Sequence, residues 1–172
     1  MSEIYRMRPA APADWQAFVA LDEEIFGWYG AQEEPAIIRG RLATFPQGCA
    51  VLERRNSDGQ PFIAGYLTTE KWAELREPAL DEDPRKSHTP DGRVLNITTL
   101  AVVPACQGQG LGARLVEHAI SVARAEGCRQ IVLETAHAER FYERHRFQRI
   151  GERMERGIRM AIMLLDLSGG DE

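Results

Sequence analysis

Cysteine is scarce in this chain of 172 residues. The three cysteines, Cys49, Cys106 and Cys128, are an odd number at wide spacing, and they form no C-x-x-C pair. This pattern indicates neither a disulfide framework nor a zinc site, and we predict no bound metal. Cys106 is expected to be an ordinary loop residue, because no histidine adjoins it in sequence to activate its thiol.

Long apolar runs and excess positive charge are also missing. No apolar segment is long enough to span a membrane and no targeting segment is evident, so the expectation is a cytoplasmic protein without a membrane partner. A net charge of −5 argues against nucleic acid and favours cationic small molecules. The length predicts a single domain, over residues 1–167 with a polar tail at 168–172, acting as a monomer or homodimer.

The most informative segment of the sequence runs from Asn96 to Ala125. An apolar, β-branched run stops at Pro104, a turn containing Gly108, Gly110 and Gly112 follows, and a helical pattern begins at once. Backbone N–H groups at such a helix N-terminus bind anions. Because glycines lack a Cβ atom, a pyrophosphate could approach this turn closely.

Three motifs share this layout. A P-loop is excluded, because no Gly-Lys-Ser/Thr follows the turn. Gly108, Gly110 and Ala113 do match the dinucleotide pattern G-x-G-x-x-A, and Glu134 ends the next strand where a ribose-binding acid would stand. However, the roughly 60 residues after the turn are too few for a doubly wound dinucleotide fold. The turn also resembles the Q/R-x-x-G-x-G/A motif of the GNAT acetyltransferases, with Gln107, Gly110 and Gly112.

A second block strengthens this resemblance. Phe141, Tyr142 and Glu143, with Phe147, resemble the F-Y-E-x-x-G-F ending of the family, although Arg146 stands where a glycine is usual. The predicted order is strand, helix, helix, three strands, helix, strand, helix and two strands, which matches the family over nearly the whole chain. The resemblance implies an α/β fold whose mixed central sheet of six or seven strands is flanked by helices.

The predicted boundaries follow from periodicity and turn residues. The segment from Lys71 to Gly92 contains three prolines and is predicted to be an irregular loop, functional or mobile. Strands are predicted at Ile4–Arg8, Cys49–Arg54, Phe62–Glu70, Val94–Val103, Gln130–Glu134, Phe147–Gly151 and Ile158–Leu165, and helices from Asp14, over Glu33–Ala43, from the turn to Gly127 and over Ala138–His145.

The resemblance implies acetyl-CoA as the cofactor. Its pantetheine arm would lie between the central strand and the next strand, with the N–H of Leu100 or Ala101 near the thioester oxygen. Such a donor can contribute about 3 kcal/mol, as in an oxyanion hole. The implied binding residues are Leu100, Ala101, Val102, Gln107, Gly108, Gln109, Gly110, Leu111, Gly112, Ala113 and Thr135, the last where the family often has an asparagine.

The resemblance also implies that Tyr142 is the general acid that protonates the leaving thiolate. The general base is left open, because the central strand offers Asn96 and Thr98 and no titratable side chain. These two residues are expected to share one face of the strand and to hold a water. Glu70 and His88 are the candidate bases, and the amine could instead arrive already neutral.

The acceptor is expected to be a small amine. Ser87–Gly92, Leu100–Val102 and Arg41–Pro46 resemble the arylalkylamine (serotonin) N-acetyltransferase branch, which carries paired histidines where this chain has Asn96 and Thr98. Two other functions are possible: a non-catalytic acyl-CoA sensor, or an enzyme acting on protein N-termini or lysines. The aromatic and acidic residues near the expected acceptor site are Trp28, Tyr29, Trp72, Asp22, Glu23, Glu24, Glu33 and Glu34.

Overall fold

The computed structural model describes residues 4–169, so most of the predicted polar tail, residues 170–172, lies outside the described part. Strands and helices alternate much as the sequence pattern predicts. The strands are β1 (Tyr5–Pro9), β2 (Ala50–Arg55), β3 (Pro61–Trp72), β4 (Val94–Val102), β5 (Gln130–Thr135), β6 (Gln148–Glu155) and β7 (Ile158–Asp166). The helices are α1 (Trp15–Phe26), α2 (Pro35–Thr44), α3 (Pro84–Ser87), α4 (Leu111–Ala125) and α5 (Glu139–Arg144).

The strands form one seven-stranded sheet in the order β1-β2-β3-β4-β5-β7-β6. Strands β4 and β5 are parallel and every other neighbouring pair is antiparallel, which confirms the predicted mixed sheet. The parallel pairing is short, since it joins only Val94–Asn96 to Gln130–Val132. Beyond Asn96 and Val132, β4 and β5 no longer pair with each other, although each stays paired with its outer neighbour, and a gap opens in the middle of the sheet.

Helices cover both faces of the sheet. Side chains alternate along each strand, so both faces carry apolar side chains that need to be buried. On one face, Leu115 and Ala119 of α4 pack with Leu95 and Leu133 in the larger core. On the other face, helices α1 and α2 cover the sheet. Their core side chains Phe18, Ile38 and Leu42 pack with Val51, Tyr66 and Ala101.

Most predicted boundaries shift by one or two residues, and two strands extend in a way that changes the interpretation of the segments after them. Strand β3 continues past Glu70 to Trp72, and β6 continues past Gly151 to Glu155. The predicted loop 71–92 therefore begins inside the sheet. It also contains α3, and its end returns to the sheet through a hydrogen bond from the Thr89 N–H to the Lys71 carbonyl at 2.7 Å. The three prolines of this segment led to the prediction of an irregular loop. Proline marks turns in a sequence and gives no information on the contacts that the turn makes.

Arg146 follows α5 in the left-handed region, with φ of 72°. A glycine would adopt this conformation without cost, whereas an arginine costs roughly 1–2 kcal/mol. The turn is nevertheless closed, because the Phe147 N–H donates to the Tyr142 carbonyl at 3.0 Å. Arg146 thus stands in a closed turn with a backbone conformation that glycine favours.

Candidate active site

A cavity of about 860 Å³ opens at the gap between β4 and β5. Its lining comes from α1, β4, the glycine-containing turn, α4, β5, α5 and β7. Gly108, Gly110 and the first turn of α4 line it from the face of the sheet that α4 covers, and Asp22, Tyr29 and Glu33 line it from α1 and the segment after α1, on the other face. Tyr142 also lines the cavity. We call these the turn end and the acidic end.

At the turn end, two glycines have backbone conformations that other residues adopt only with strain. Gly108 and Gly110 have φ of 81° and 80°, and nothing lies within 4 Å of where a Cβ would stand. Gly110 is also the N-cap of α4, a helix of 15 residues. The turn therefore presents open backbone at a helix N-terminus, which suits a pyrophosphate.

Gly112 lines the cavity and also has a packing role that the sequence does not suggest. A Cβ there would stand 3.0 Å from the ring of Phe141 on α5. Its hydrogen side chain thus allows α4 and α5 to approach, and that contact positions Tyr142, the next residue. The resemblance gave Gly112 only a role in cofactor binding.

The free edge of β4 faces the gap. The Val103 N–H donates to the Ala64 carbonyl of β3 at 2.8 Å. Because backbone groups alternate in direction along a strand, the N–H and carbonyl groups of Ala101 also point to β3, and those of Leu100 and Val102 point to the gap. Gln107 occupies part of this edge, since its Nε2 donates to the Val102 carbonyl at 3.1 Å.

Two of the eleven predicted cofactor residues do not line the cavity. Ala101 is buried against Tyr66 on the opposite face of the sheet. Gln109 turns away, because its Oε1 accepts from the Tyr5 hydroxyl and its Nε2 donates to the Cys106 carbonyl. The nine that do line it are Leu100, Val102, Gln107, Gly108, Gly110, Leu111, Gly112, Ala113 and Thr135.

Tyr142 lines the cavity from α5 and is only 6% exposed. Its ring packs edge-on against Phe141 and Phe147. Burial raises the pKa of its phenol, so the hydroxyl stays protonated across the physiological range. No residue of the described range 4–169 hydrogen-bonds this hydroxyl, which leaves the proton available to a ligand.

Thr98 and Asn96 are separated by an irregularity in β4. Thr68 pairs with Thr99 and Thr69 pairs with Ile97, so Thr98 is an extra residue, a β-bulge. The bulge interrupts the alternation that predicts a shared face. Thr98 lines the cavity and its hydroxyl lies 2.7 Å from that of Thr68, whereas Asn96 is buried outside the lining.

Neither predicted base lines the cavity. Glu70 is 2% exposed, and its oxygens accept hydrogen bonds from the Trp72 Nε1 at 2.9 Å and the Ser87 hydroxyl at 2.6 Å. The Nδ1 of His88 accepts from the Lys71 N–H at 3.0 Å, and its ring stacks on Phe45. Both side chains fasten segment 71–92 to the sheet.

Three buried or half-buried carboxyl groups line the acidic end, and two of them are paired. Glu33 receives both terminal nitrogens of Arg41 at 2.8 and 2.7 Å, and Glu134 receives two nitrogens of Arg153. Asp22 is 2% exposed, and no salt bridge within residues 4–169 pairs it with a cation. Burial raises its pKa to about 7, despite the hydrogen bond that it accepts from the Glu33 N–H.

Aromatic side chains surround the mouth at this end. Trp28 is 72% exposed and stacks on His137 at 5.4 Å between ring centroids, and Tyr29 meets both rings edge-on. The sequence does not single out His137, because it follows β5 with no motif around it. Trp72 does not belong to this group, since it packs in a small core with Val94, Val132 and Ile162.

Arg156, in the β6–β7 turn, closes the outside of the acidic end. It donates to the carbonyl groups of Gly30 and Gln32 at 3.1 and 2.6 Å and also pairs with Asp81. Asp81 in turn donates its N–H to Glu33 at 2.7 Å. This Arg156 clasp joins segments whose neighbouring residues Ala31, Glu33 and Leu80 line the cavity.

Among residues 4–169, no group of three or more histidine, cysteine and acidic side chains is placed to hold a metal ion. The three cysteines are buried and free. No helix in the same range is long and apolar enough to cross a membrane.

Comparison with known proteins agrees with this geometry. The model of the acetyltransferase (GNAT) family matches residues 12–147. The loading GNATL domain of CurA from Lyngbya majuscula superposes with a TM-score of 0.80 at 18% identity, over 96% of this chain and 98% of that one. The NatC complex bound to Gag peptide and CoA gives 0.73 at 21%, over 95% and 98%. The structure of yncA from Salmonella typhimurium with its cofactor acetyl-CoA gives 0.65 at 19%, over 98% and 95%.

These likenesses are to the fold, and the family match covers most of the chain. The chain therefore belongs to the acetyltransferase (GNAT) family and is an acyltransferase whose cofactor is acetyl-CoA.

Proposed function

We propose that this protein transfers the acetyl group of acetyl-CoA to the primary amine of a small, cationic molecule. The observation that carries the proposal is the single cavity with its two chemically different ends. The turn end offers glycine backbone and the free edge of β4, and the acidic end offers carboxyl groups and aromatic rings. An electrophile and an amine entering from opposite ends would meet inside this cavity, which Tyr142 also lines.

The cofactor would be held by the nine lining residues named above. Backbone N–H groups from Gly108 to Gly112 suit the pyrophosphate. The N–H of Leu100 is the donor for the thioester oxygen, since that of Ala101 points to β3. Bound acetyl-CoA supplies the acetyl thioester, and the chain supplies orientation and proton transfer.

Tyr142 would act as the general acid. Its free hydroxyl lines the cavity and stays protonated at neutral pH. Direct attack by the amine breaks the C–S bond, and the departing sulfur takes the proton of Tyr142.

The acidic end favours a positively charged acceptor. Asp22, Glu33 and Glu134 contribute three carboxyl groups, and Tyr29 and Trp28 add ring faces that attract cations. Arg41 and Arg153, which contact the carboxyl groups of this end, are each engaged by a glutamate. A ring-bearing amine of the arylalkylamine kind would meet both features.

A peptide amine is the second candidate, because the similar NatC structure holds a Gag peptide. The Arg156 clasp argues against it here. The clasp ties the β6–β7 turn to residues 30–32 and to Asp81 on the outer side of the acidic end. A chain extending outward from the amine would have to displace these contacts, whereas a small molecule would fit behind them.

The test measures CoA release from acetyl-CoA with 2-phenylethylamine, tryptamine, spermidine, an aminoglycoside and peptides that begin with different residues. We expect at least one small amine to be acetylated with a kcat/KM at least tenfold above that of any peptide. Preference for a peptide would contradict the small-molecule proposal. Binding of acetyl-CoA with no turnover on any amine would favour a sensor.

A further inference from the structure

The geometry points to Asp22 as the residue that binds the acceptor ammonium and removes its proton. This assignment rests on the proposed function, since it concerns the acceptor at the acidic end. The central strand offers no titratable group, and the candidates Glu70 and His88 lie outside the cavity. Asp22 supplies the missing group from α1, which packs on the other face of the sheet from α5.

The contacts of Asp22 leave one oxygen for a ligand. Its Oδ2 accepts from the Glu33 N–H at 2.8 Å. No other hydrogen bond reaches this carboxyl group within the described residues 4–169. Asp22 lines the cavity and is only 2% exposed, so its second oxygen is shielded from bulk water and has no protein partner in that range.

The neighbouring carboxylates are already neutralised. Glu33 holds Arg41 through two hydrogen bonds and accepts from the Asp81 N–H, and Glu134 holds Arg153. Glu24 also lines the cavity but is exposed, so a cation entering the acidic end meets Asp22 as the buried carboxyl group without a salt bridge among residues 4–169. Pairing with an ammonium would lower the cost of ionising this buried carboxyl group.

The charged and titratable groups around Asp22 come from four segments. Glu33 and Asp81 disfavour its ionisation, whereas Arg41, on α2, favours it. Tyr29, beyond α1, and Tyr66, on β3, also feel its charge, and burial raises the pKa of both phenols. Burial outweighs the other influences on Asp22, so its pKa of about 7 is near the working pH, as a general base requires.

The transfer balances with Asp22 and Tyr142 as the proton carriers. The ammonium gives one proton to Asp22 Oδ1, and the freed nitrogen lone pair forms the C–N bond. The C–S bond breaks with its electron pair on sulfur, and sulfur takes the Tyr142 proton. The second proton lost by nitrogen restores Tyr142, and Asp22 releases the first to solvent. The products are an amide, CoA thiol and one proton.

The pH profile of kcat/KM tests this role, with the most active amine of the panel and a less basic analogue. In the wild type, the profile should rise through about pH 7 as Asp22 ionises and fall through the pKa of each amine, because the ammonium is the form that binds. In Asp22→Asn, kcat/KM at pH 7 should fall roughly 10²- to 10⁴-fold. The remaining activity should rise through the pKa of the amine, since only the neutral amine can react.

Glu23→Gln is the matched control. Glu23 is exposed, adjoins Asp22 in α1 and does not line the cavity. This variant should keep the wild-type profile. A limb near pH 7 that survives in Asp22→Asn, with kcat/KM within threefold of the wild type, would overturn the proposal while leaving the acetyltransferase activity intact.

A stability measurement separates this assignment from the activity. The pKa of Asp22 is raised in the folded protein from about 3.9 in the unfolded chain. Its ionisation therefore destabilises the fold, and the wild type should lose stability relative to Asp22→Asn as the pH rises from about 4 to about 7. The melting-temperature difference should grow across that window and then level off. A difference independent of pH would overturn the assignment even if no amine in the panel were acetylated.

Discussion

The turn end and the acidic end of the cavity are built in opposite ways. The turn end consists of consecutive residues, Gln107 to Ala113, together with the free edge of the strand before them. It presents mostly backbone. The acidic end gathers side chains from α1, the segments after α1 and β5, and residue Leu80. It presents carboxyl groups and rings.

This difference separates what is common to a family from what is particular to a chain. Backbone N–H groups at a helix N-terminus recognise any pyrophosphate, whatever the acceptor. The acceptor that the acidic end can bind depends on side chains that are far apart in sequence and meet only in the fold. A change at the turn end should therefore abolish binding of the cofactor, and a change at the acidic end should alter which amine reacts.

The largest expected effect is at Gly110. Gly110→Glu places a bulky anion at the N-terminus of α4, where the pyrophosphate would sit. The rise in melting temperature that acetyl-CoA gives the wild type should be lost. Thermal shift with and without acetyl-CoA measures this directly.

Gly127→Glu controls for backbone strain. Gly127 follows the other end of α4, with φ of 75° and nothing within 4 Å of the position that a Cβ would take. Both variants should lose some intrinsic stability, but only Gly110→Glu should lose the cofactor-induced shift. If acetyl-CoA raises the melting temperature of both variants equally, the pyrophosphate does not bind at the turn. If NADH raises the melting temperature of the wild type and acetyl-CoA does not, the dinucleotide interpretation is favoured instead.

The second-largest effect is expected at Tyr142 and concerns turnover. Tyr142→Phe keeps the ring contacts with Phe141 and Phe147 and removes the proton donor. Turnover should fall roughly 10- to 1000-fold with little change in acetyl-CoA affinity. Tyr5→Phe is the control, because this buried hydroxyl bonds Gln109 outside the cavity. Unchanged turnover in Tyr142→Phe would leave Tyr142 with a packing role alone.

The smallest effect is expected at Arg156. Arg156→Ala opens the clasp, whose partly exposed contacts contribute about 0–1 kcal/mol each. We expect KM for the amine to rise about 2- to 10-fold, with KM for acetyl-CoA unchanged. Arg149→Ala removes an exposed arginine of β6 that pairs with Glu139 and Glu152, and should change neither constant. If Arg156→Ala improves activity on peptides while that on small amines is unchanged, the clasp restricts acceptor size without holding the amine.

Much of the fold could be predicted because its signals are local. The alternation of strands, the turn and the α4 periodicity lie within short stretches, and the seven-stranded mixed sheet agrees with them. The bulge at Thr98 could not be predicted, since it depends on the pairing of β4 with β3. The same pairing turns Ala101 away from the cavity.

The acidic end was much less predictable. Asp22 lies four residues from both Phe18 and Phe26, so its position on the inner face of α1 is a signal that the helical period contains. Nothing local indicates that Arg41 and Arg153 neutralise its neighbouring glutamates and leave Asp22 unpaired. Glu70 was predicted as a candidate base but lies outside the cavity. The contacts with Trp72 and Ser87 that hold it there depend on the extension of β3 and on α3, which the sequence does not indicate.

The most direct test is a crystal structure with CoA and the most active amine bound together. We expect pyrophosphate oxygens about 2.7–3.2 Å from N–H groups of residues 108–112, and the pantetheine arm in the gap between β4 and β5. We also expect the amine nitrogen at hydrogen-bonding distance from Asp22. A pyrophosphate bound away from the turn, or an amine bound outside the acidic end, would contradict the assignment of the two ends to the two substrates.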